Sequence, residues 1–233
     1  MNKQPIGVIG AMKVEIDTLI ADLTSPKTET VGGLTFTSGE LSGVPVVLSV
    51  SGVGKVCAAM AAQTMILRYG VRAVINTGVA GTLTDALSIG DIAVADSVVQ
   101  HDMDTSAVGD PVGLISGLNI VYMKADGSLS TRIADIIKEQ GVNTVSGVIA
   151  SGDVFVADSE KKAYIRDTFG AVACEMEGGA IGQVCAMNGI PFAVIRAISD
   201  GGNEDAVMDF PTFVKIAAQK SADAVRALME TEK

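Results

Sequence analysis

A chain of 233 residues suits a single α/β domain spanning 1–233, long enough to bury a core without disulfide or metal staples. The net charge is −10, the 17 Lys and Arg are scattered and aromatics make up only 4%, which excludes a nucleic-acid surface and points to a small ligand. No run reaches the ~18 apolar residues of a membrane helix, and Ile6 to Met12 is too short an apolar stretch for a signal peptide.

The expectation is therefore a cytoplasmic protein with no membrane partner. With 48% hydrophobic and 19% charged residues, some apolar surface is expected to lie in a subunit interface. Cys57, Cys174 and Cys185 are odd in number and lack ligand-like spacing, so they read as small buried hydrophobes in a reducing compartment.

Short β-branched runs alternate with helical patterns from end to end. Pro5 to Ile9 predicts a first strand, and Met12 to Leu23 a helix with Met12, Ile16, Leu19 and Ile20 on one face. Val31 to Leu41 and Val44 to Val50 predict paired strands turning at Ser42-Gly43. Lys55 to Tyr69, rich in Ala and Met, reads as a buried helix; Ala73 to Asn76, Asp91 to Val99 and Val145 to Ser151 read as strands. Asp126 to Gln140 is amphipathic and stops at Gly141. Glu160 to Phe169 and Glu177 to Asn188 follow as helices, then Pro191 to Ile198 as a strand buried on both faces. Asp209-Phe210-Pro211 places an N-cap and a first-turn proline at the start of a final helix. This alternation predicts one domain around a mixed sheet, with a site in the loops at the strand ends.

Those predicted loops are Gly10 to Glu15, Ser51 to Lys55, Asn76 to Gly81, Ser151 to Phe155, Glu175 to Glu177 and Arg196 to Asp200. Ser51 to Lys55 is not a phosphate loop, because Val56 stands where a hydroxyl must hold magnesium. With one histidine, a Ser-His triad and a zinc site both lack their parts, and His101-Asp102-Met103-Asp104 reads as a solvated loop with subunit contacts. Carboxylates remain. Glycosidic cleavage needs one group to protonate the leaving group and another to activate water. Glu15 and Asp200 follow predicted buried strands, where desolvation raises a carboxyl pKa. Glu175 and Glu177 flank Met176 and face opposite ways if that segment is extended.

Gly10-Ala11-Met12 with Glu15, Asn76-Thr77-Gly78-Val79-Ala80-Gly81, Ser151-Gly152-Asp153-Val154-Phe155, Glu175-Met176-Glu177 and Arg196-Ala197-Ile198-Ser199-Asp200 together resemble the 5′-methylthioadenosine/S-adenosylhomocysteine nucleosidases, in the purine nucleoside phosphorylase superfamily. The motifs run in order over nearly the whole chain. The resemblance implies a three-layer α/β/α sandwich with a mixed central sheet, a homodimer, a purine nucleoside as small-molecule partner, and neither metal nor cofactor. It implies Glu15 as base for the attacking water and Asp200, positioned by Ser199, as acid toward N7 of adenine. Glu177 would accept the ribose hydroxyls beside Met176, with Glu175 in the same binding set. Phe155 would stack on the base, the backbone of Val156 would read its edge, and Arg196 would place water or structure the pocket. Met12, Val79, Ala80 and Gly81 would line the sugar and base site.

Two rivals are a nucleoside phosphorylase of the same fold and a non-catalytic nucleoside-binding protein. Phosphorolytic cousins tend to carry an arginine where Asn76 stands and a hydroxyl where Val79 stands, and Glu15 repels a phosphate dianion. In 101–113, Thr105, Val108, Asp110 and Pro111 replace the aromatic residues that line the 5′ pocket in the family, leaving the 5′ substituent open. There Asp110 offers a partner for an amino group on a longer tail.

Overall fold

The computed structural model describes residues 4–203 and 205–232. Its first strand, β1 (Ile6–Gly10), is buried at every position. The same holds for β5 (Ala73–Thr82) and β10 (Phe192–Asp200), because helices cover both faces of the sheet. On one face lie α1 (Lys13–Ala21), α3 (Gly127–Glu139) and α6 (Ala206–Thr231), packed through Ile16, Leu19, Ile133, Ile137, Val225 and Leu228. On the other lie α2 (Lys55–Thr64) and α5 (Gly178–Asn188), packed through Ala58, Ala62, Ile181 and Cys185. A third cluster forms under α4 (Ser159–Phe169), where Ile165 and Phe169 meet Leu83, Val99 and Ala150. Each such buried Ile, Leu or Phe contributes roughly 1.5–3 kcal/mol. The three-layer α/β/α arrangement expected from the sequence is what forms.

The remaining strands are β2 (Thr24–Val31), β3 (Leu34–Leu41), β4 (Val44–Val50), β6 (Ile92–Gln100), β7 (Met123–Lys124), β8 (Thr144–Ser151) and β9 (Ala171–Glu175). Among the described residues the strands form one ten-stranded mixed sheet. Part of it closes on itself. β5 pairs with β10, β10 with β6, β6 with β8, β8 with β9, and β9 returns antiparallel to β5. From this ring β1, β4, β3 and β2 extend in that order as a wing.

Helix ends follow their sequence signals. Asp126 caps α3 by accepting the Leu129 amide at 2.9 Å, and Gly141 leaves the helix at φ +74°. Asp158 caps α4 by accepting from Lys161 at 2.7 Å.

Several expectations are corrected. α1 is confined to Lys13–Ala21, so Met12 precedes it as the cap. Val31 belongs to β2, an added strand paired with β3 across a turn at Gly32 and Gly33, both at positive φ. The helix at Lys55 passes into a π-turn over Met65–Tyr69, and its outer side is not buried: Val56, Met60 and Leu67 are exposed. β5 runs through the glycines read as a loop, because neighbouring strands supply ladder partners as far as Thr82. β10 likewise continues through Asp200. The last helix starts at Ala206 with Asp205 as its cap, not at Asp209, which puts Pro211 inside the helix rather than in its first turn. His101 is buried, at 4% exposure, rather than solvated.

Candidate active site

β5 changes neighbour partway along. β1 pairs with Ala73 to Asn76, whereas β9 pairs only with Gly81 and Thr82. In the gap, two β5 amides turn to side chains: Gly78 donates to Ser221 Oγ at 3.1 Å and Val79 to Glu15 Oε1 at 3.1 Å. The site is built into this gap.

Glu15 lies in the first turn of α1, not in a loop. Its Oε2 accepts the Ala11 and Met12 amides at 2.7 and 2.9 Å, so with Val79 three backbone N–H groups fix one carboxylate. Burial raises its pKa, and the Arg196 charge and these amides oppose the rise without cancelling it. Asp200 closes β10. Its Oδ2 accepts from Ser199 Oγ at 2.9 Å and its Oδ1 from the Gly202 amide at 2.9 Å, while burial pushes its pKa up.

Arg196 is fully buried and points from β10 into the same space. Its guanidinium pairs with Glu175 and, at 3.4 Å, with Glu177, and also donates to Asn76 Oδ1. Burial opposes its charge, but Glu175, Glu177 and Glu15 together hold its pKa above the usual value. Glu175 and Glu177 therefore converge rather than face apart, because the chain turns from β9 into α5 between them. Glu175 is saturated: it accepts from Ser151 Oγ, from the Glu177 amide at 3.1 Å and from the Gly178 amide at 2.8 Å. It is scaffold for Arg196 and for the start of α5. Glu177 keeps more capacity, accepting the Gly54 amide at 2.9 Å beside Arg196. Burial, opposed by Arg196 and reinforced by Glu175, pushes its pKa up to about 7.

These groups line a cavity of about 250 Å³. Every residue picked from the sequence reaches it: Met12, Glu15, Val79, Ala80, Gly81, Phe155, Val156, Glu175, Met176, Glu177, Arg196, Ser199 and Asp200. The glycines of β5 make the room. A Cβ on Gly78 would lie 2.5 Å from both Arg196 Nη1 and Glu15 Oε1, and one on Gly81 would lie 2.7 Å from Asp200 Oδ1.

At the mouth, half-exposed Phe155 meets Phe210 edge-on, with centroids 5.6 Å apart at 80°. Sequence reasoning missed Phe210, together with Ala11, Val53, Val154 and Cys174. The Cys174 thiol, pushed up to about 12 by burial and then by Asp200 and Glu175, is a protonated wall residue at neutral pH.

Among the described residues the lining holds four carboxylates and one guanidinium, and that guanidinium is already engaged. The segment 101–113 does not reach the cavity within one chain, and Asp110 accepts from Thr105 Oγ1 at 2.8 Å rather than standing free.

Residues 5–230 match the phosphorylase superfamily. A 5′-methylthioadenosine/S-adenosylhomocysteine nucleosidase of Shewanella sp. (strain MR-7) is 40% identical over 227 residues, covering 97% of this chain and 96% of that protein. The nucleosidase of the same name from Neisseria meningitidis, solved with methylthio-immucillin-A, superposes with a TM-score of 0.94 at 36% identity, covering 98% of this chain and 100% of that one. A futalosine hydrolase of Helicobacter pylori superposes at 0.92 with 38% identity, covering 99% of this chain and 98% of that one. On this agreement of sequence, fold and cavity, the chain belongs to the 5′-methylthioadenosine/S-adenosylhomocysteine nucleosidase family of the phosphorylase superfamily.

Proposed function

We propose that this N-ribosyl hydrolase releases adenine from a 5′-thio-substituted adenosine, with Asp200 as general acid and Glu15 as general base. The observation that carries the assignment is the pair of buried carboxyls, both raised in pKa, facing one cavity beside the buried Glu177. Asp200, held by Ser199 and the Gly202 amide, delivers its proton to N7, so adenine departs neutral rather than as an anion. Positive charge then develops on the ribose, and the carboxylates of the floor stabilise it. Glu15, fixed by its three amides, orients the attacking water and takes its proton. Glu177 accepts the ribose hydroxyls, and Phe155 stacks on the base.

Water is favoured over phosphate as nucleophile because the cavity lining offers a dianion no unengaged cation, and Glu15 occupies the floor. The similarity to a futalosine hydrolase at comparable identity keeps a second 5′ substituent in view. A homodimer in the cytoplasm fits the reading. Val56 and Met60 on α2 and Met187 on α5 are exposed apolar side chains, as is Val53 at the cavity wall.

The test is adenine release from methylthioadenosine, S-adenosylhomocysteine and futalosine, each with and without phosphate. Release from a thio-nucleoside at a rate indifferent to phosphate is expected. Phosphate dependence with ribose-1-phosphate as product would transfer the chain to phosphorolysis, and binding without turnover would make it a nucleoside-binding protein.

A further inference from the structure

In the motif Ser151 to Phe155 the proposed chemistry leaves one carboxylate unused, that of Asp153. It sits on the cavity rim between Ser151, which bonds Glu175, and Val154, Phe155 and Val156, which form the apolar wall. Its side chain turns away from the cavity toward α2. Oδ1 accepts the Lys55 amide, the first of that helix, at 2.7 Å. The preceding amide, on Gly54, donates to Glu177 Oε1 at 2.9 Å. Consecutive N–H groups at the start of α2 thus hold two carboxylates from different parts of the chain, as a helix N-terminus favours.

A second set of bonds closes this arrangement into a ring. The Asp153 amide donates to Asp102 Oδ2 at 2.9 Å, and Asp102 Oδ1 accepts Lys55 Nζ at 2.6 Å. Lys55 Nζ also reaches Gln100 Oε1 at 3.2 Å, tying the ring to the end of β6. Glycine is needed at Gly54, whose φ is +100° and where a Cβ would fall 2.9 Å from Asp153 Oδ1. Gly152 is packed equally tightly, since a Cβ there would meet the buried His101 ring 2.4 Å from Nε2. The wall loop is therefore anchored from both sides, and the anchor is shared with Glu177.

We infer that Asp153 is a positioning residue: through the N-terminus of α2 it sets the base-stacking wall at a fixed distance from the ribose-binding Glu177. The inference rests on the nucleoside reading above. It predicts an effect on ground-state binding rather than on the chemical step, because neither Asp200 nor Glu15 belongs to the ring.

The experiment compares Asp153→Ala and Asp153→Asn with the wild-type chain, measuring kcat and KM for methylthioadenosine, calorimetric binding of free adenine, and thermal midpoint. Asp153→Ala should raise KM and weaken adenine binding roughly fivefold to tenfold, the effect of one lost amide bond, with kcat changed by less than about threefold. Asp153→Asn keeps an acceptor oxygen and should restore both to within about threefold of wild type. An unaltered KM in Asp153→Ala, a loss confined to kcat, or an Asn variant as impaired as the Ala variant would overturn the inference. A wild-type chain that neither binds nor releases adenine would overturn the nucleoside reading instead, so the two failures are distinguishable.

Discussion

Replacing Arg196 by methionine keeps the approximate volume of the side chain and removes the guanidinium among Glu15, Glu175 and Glu177. Breaking a buried ion pair by deleting one partner costs about 3–5 kcal/mol, because the other charge remains buried. For a chain of this size that corresponds to a fall of roughly 6–20 °C in thermal midpoint. The sign of its pH dependence follows from Glu177. Its pKa in the fold, about 7, lies above its ordinary value of 4.5, so the folded state binds the extra proton between those limits and stability falls as pH rises through them. Arg196 works against that rise, and without it the Glu177 and Glu15 carboxyls move further up. The penalty in Arg196→Met should therefore be largest near pH 8 and should shrink near pH 5, where Glu177 is largely protonated. Thermal melts of both proteins at pH 5, 6, 7 and 8, at one protein concentration, read this directly. Equal deficits at every pH, or a larger deficit at pH 5, would refute the reasoning and reduce Arg196 to a packing element.

Asp200→Asn should lower kcat by about 10²–10⁴, the usual contribution of a general acid, while calorimetry finds adenine binding retained. Gly81→Ala adds a Cβ 2.7 Å from Asp200 Oδ1 in a strand that otherwise accepts alanine, so kcat should fall at least about tenfold. Its far-ultraviolet circular dichroism should match wild type, and unchanged turnover would show that Asp200 has room to move. Phe210→Ala removes the edge contact with Phe155, worth about 0.5–1.5 kcal/mol, and should raise KM several-fold in initial-rate assays with little change in kcat.

The central strands were legible because Ile6 to Ile9 and Phe192 to Ile195 are continuous runs without a polar side chain, as a doubly covered sheet favours. β2 was not, since Thr24 to Val31 is polar and almost wholly exposed; its extended form comes from pairing with β3 and not from its own pattern. Asn76 to Gly81 carries two glycines and reads as a loop when taken alone. β10 and β9 make it strand, and the glycines serve the carboxylates packed on it. The members of the site were visible as motifs, but their geometry was not. That Glu175 and Glu177 converge on one guanidinium depends on a turn that no periodicity reports, and nothing in the pattern around Pro211 points Phe210 to the cavity it lines.

The gap in β5 divides the site by stability as well as by chemistry. Its floor, with the Val79 amide on Glu15 and Arg196 on the adjoining strand, opens only with the sheet itself, whereas Val53, Phe155 and Phe210 belong to loops or to one helix end. In hydrogen-exchange terms the floor shares the protection of the global fold, and the rim opens at far smaller free energy. A ligand can thus be admitted and released by the rim alone, while the buried Glu15 and Arg196 keep their places.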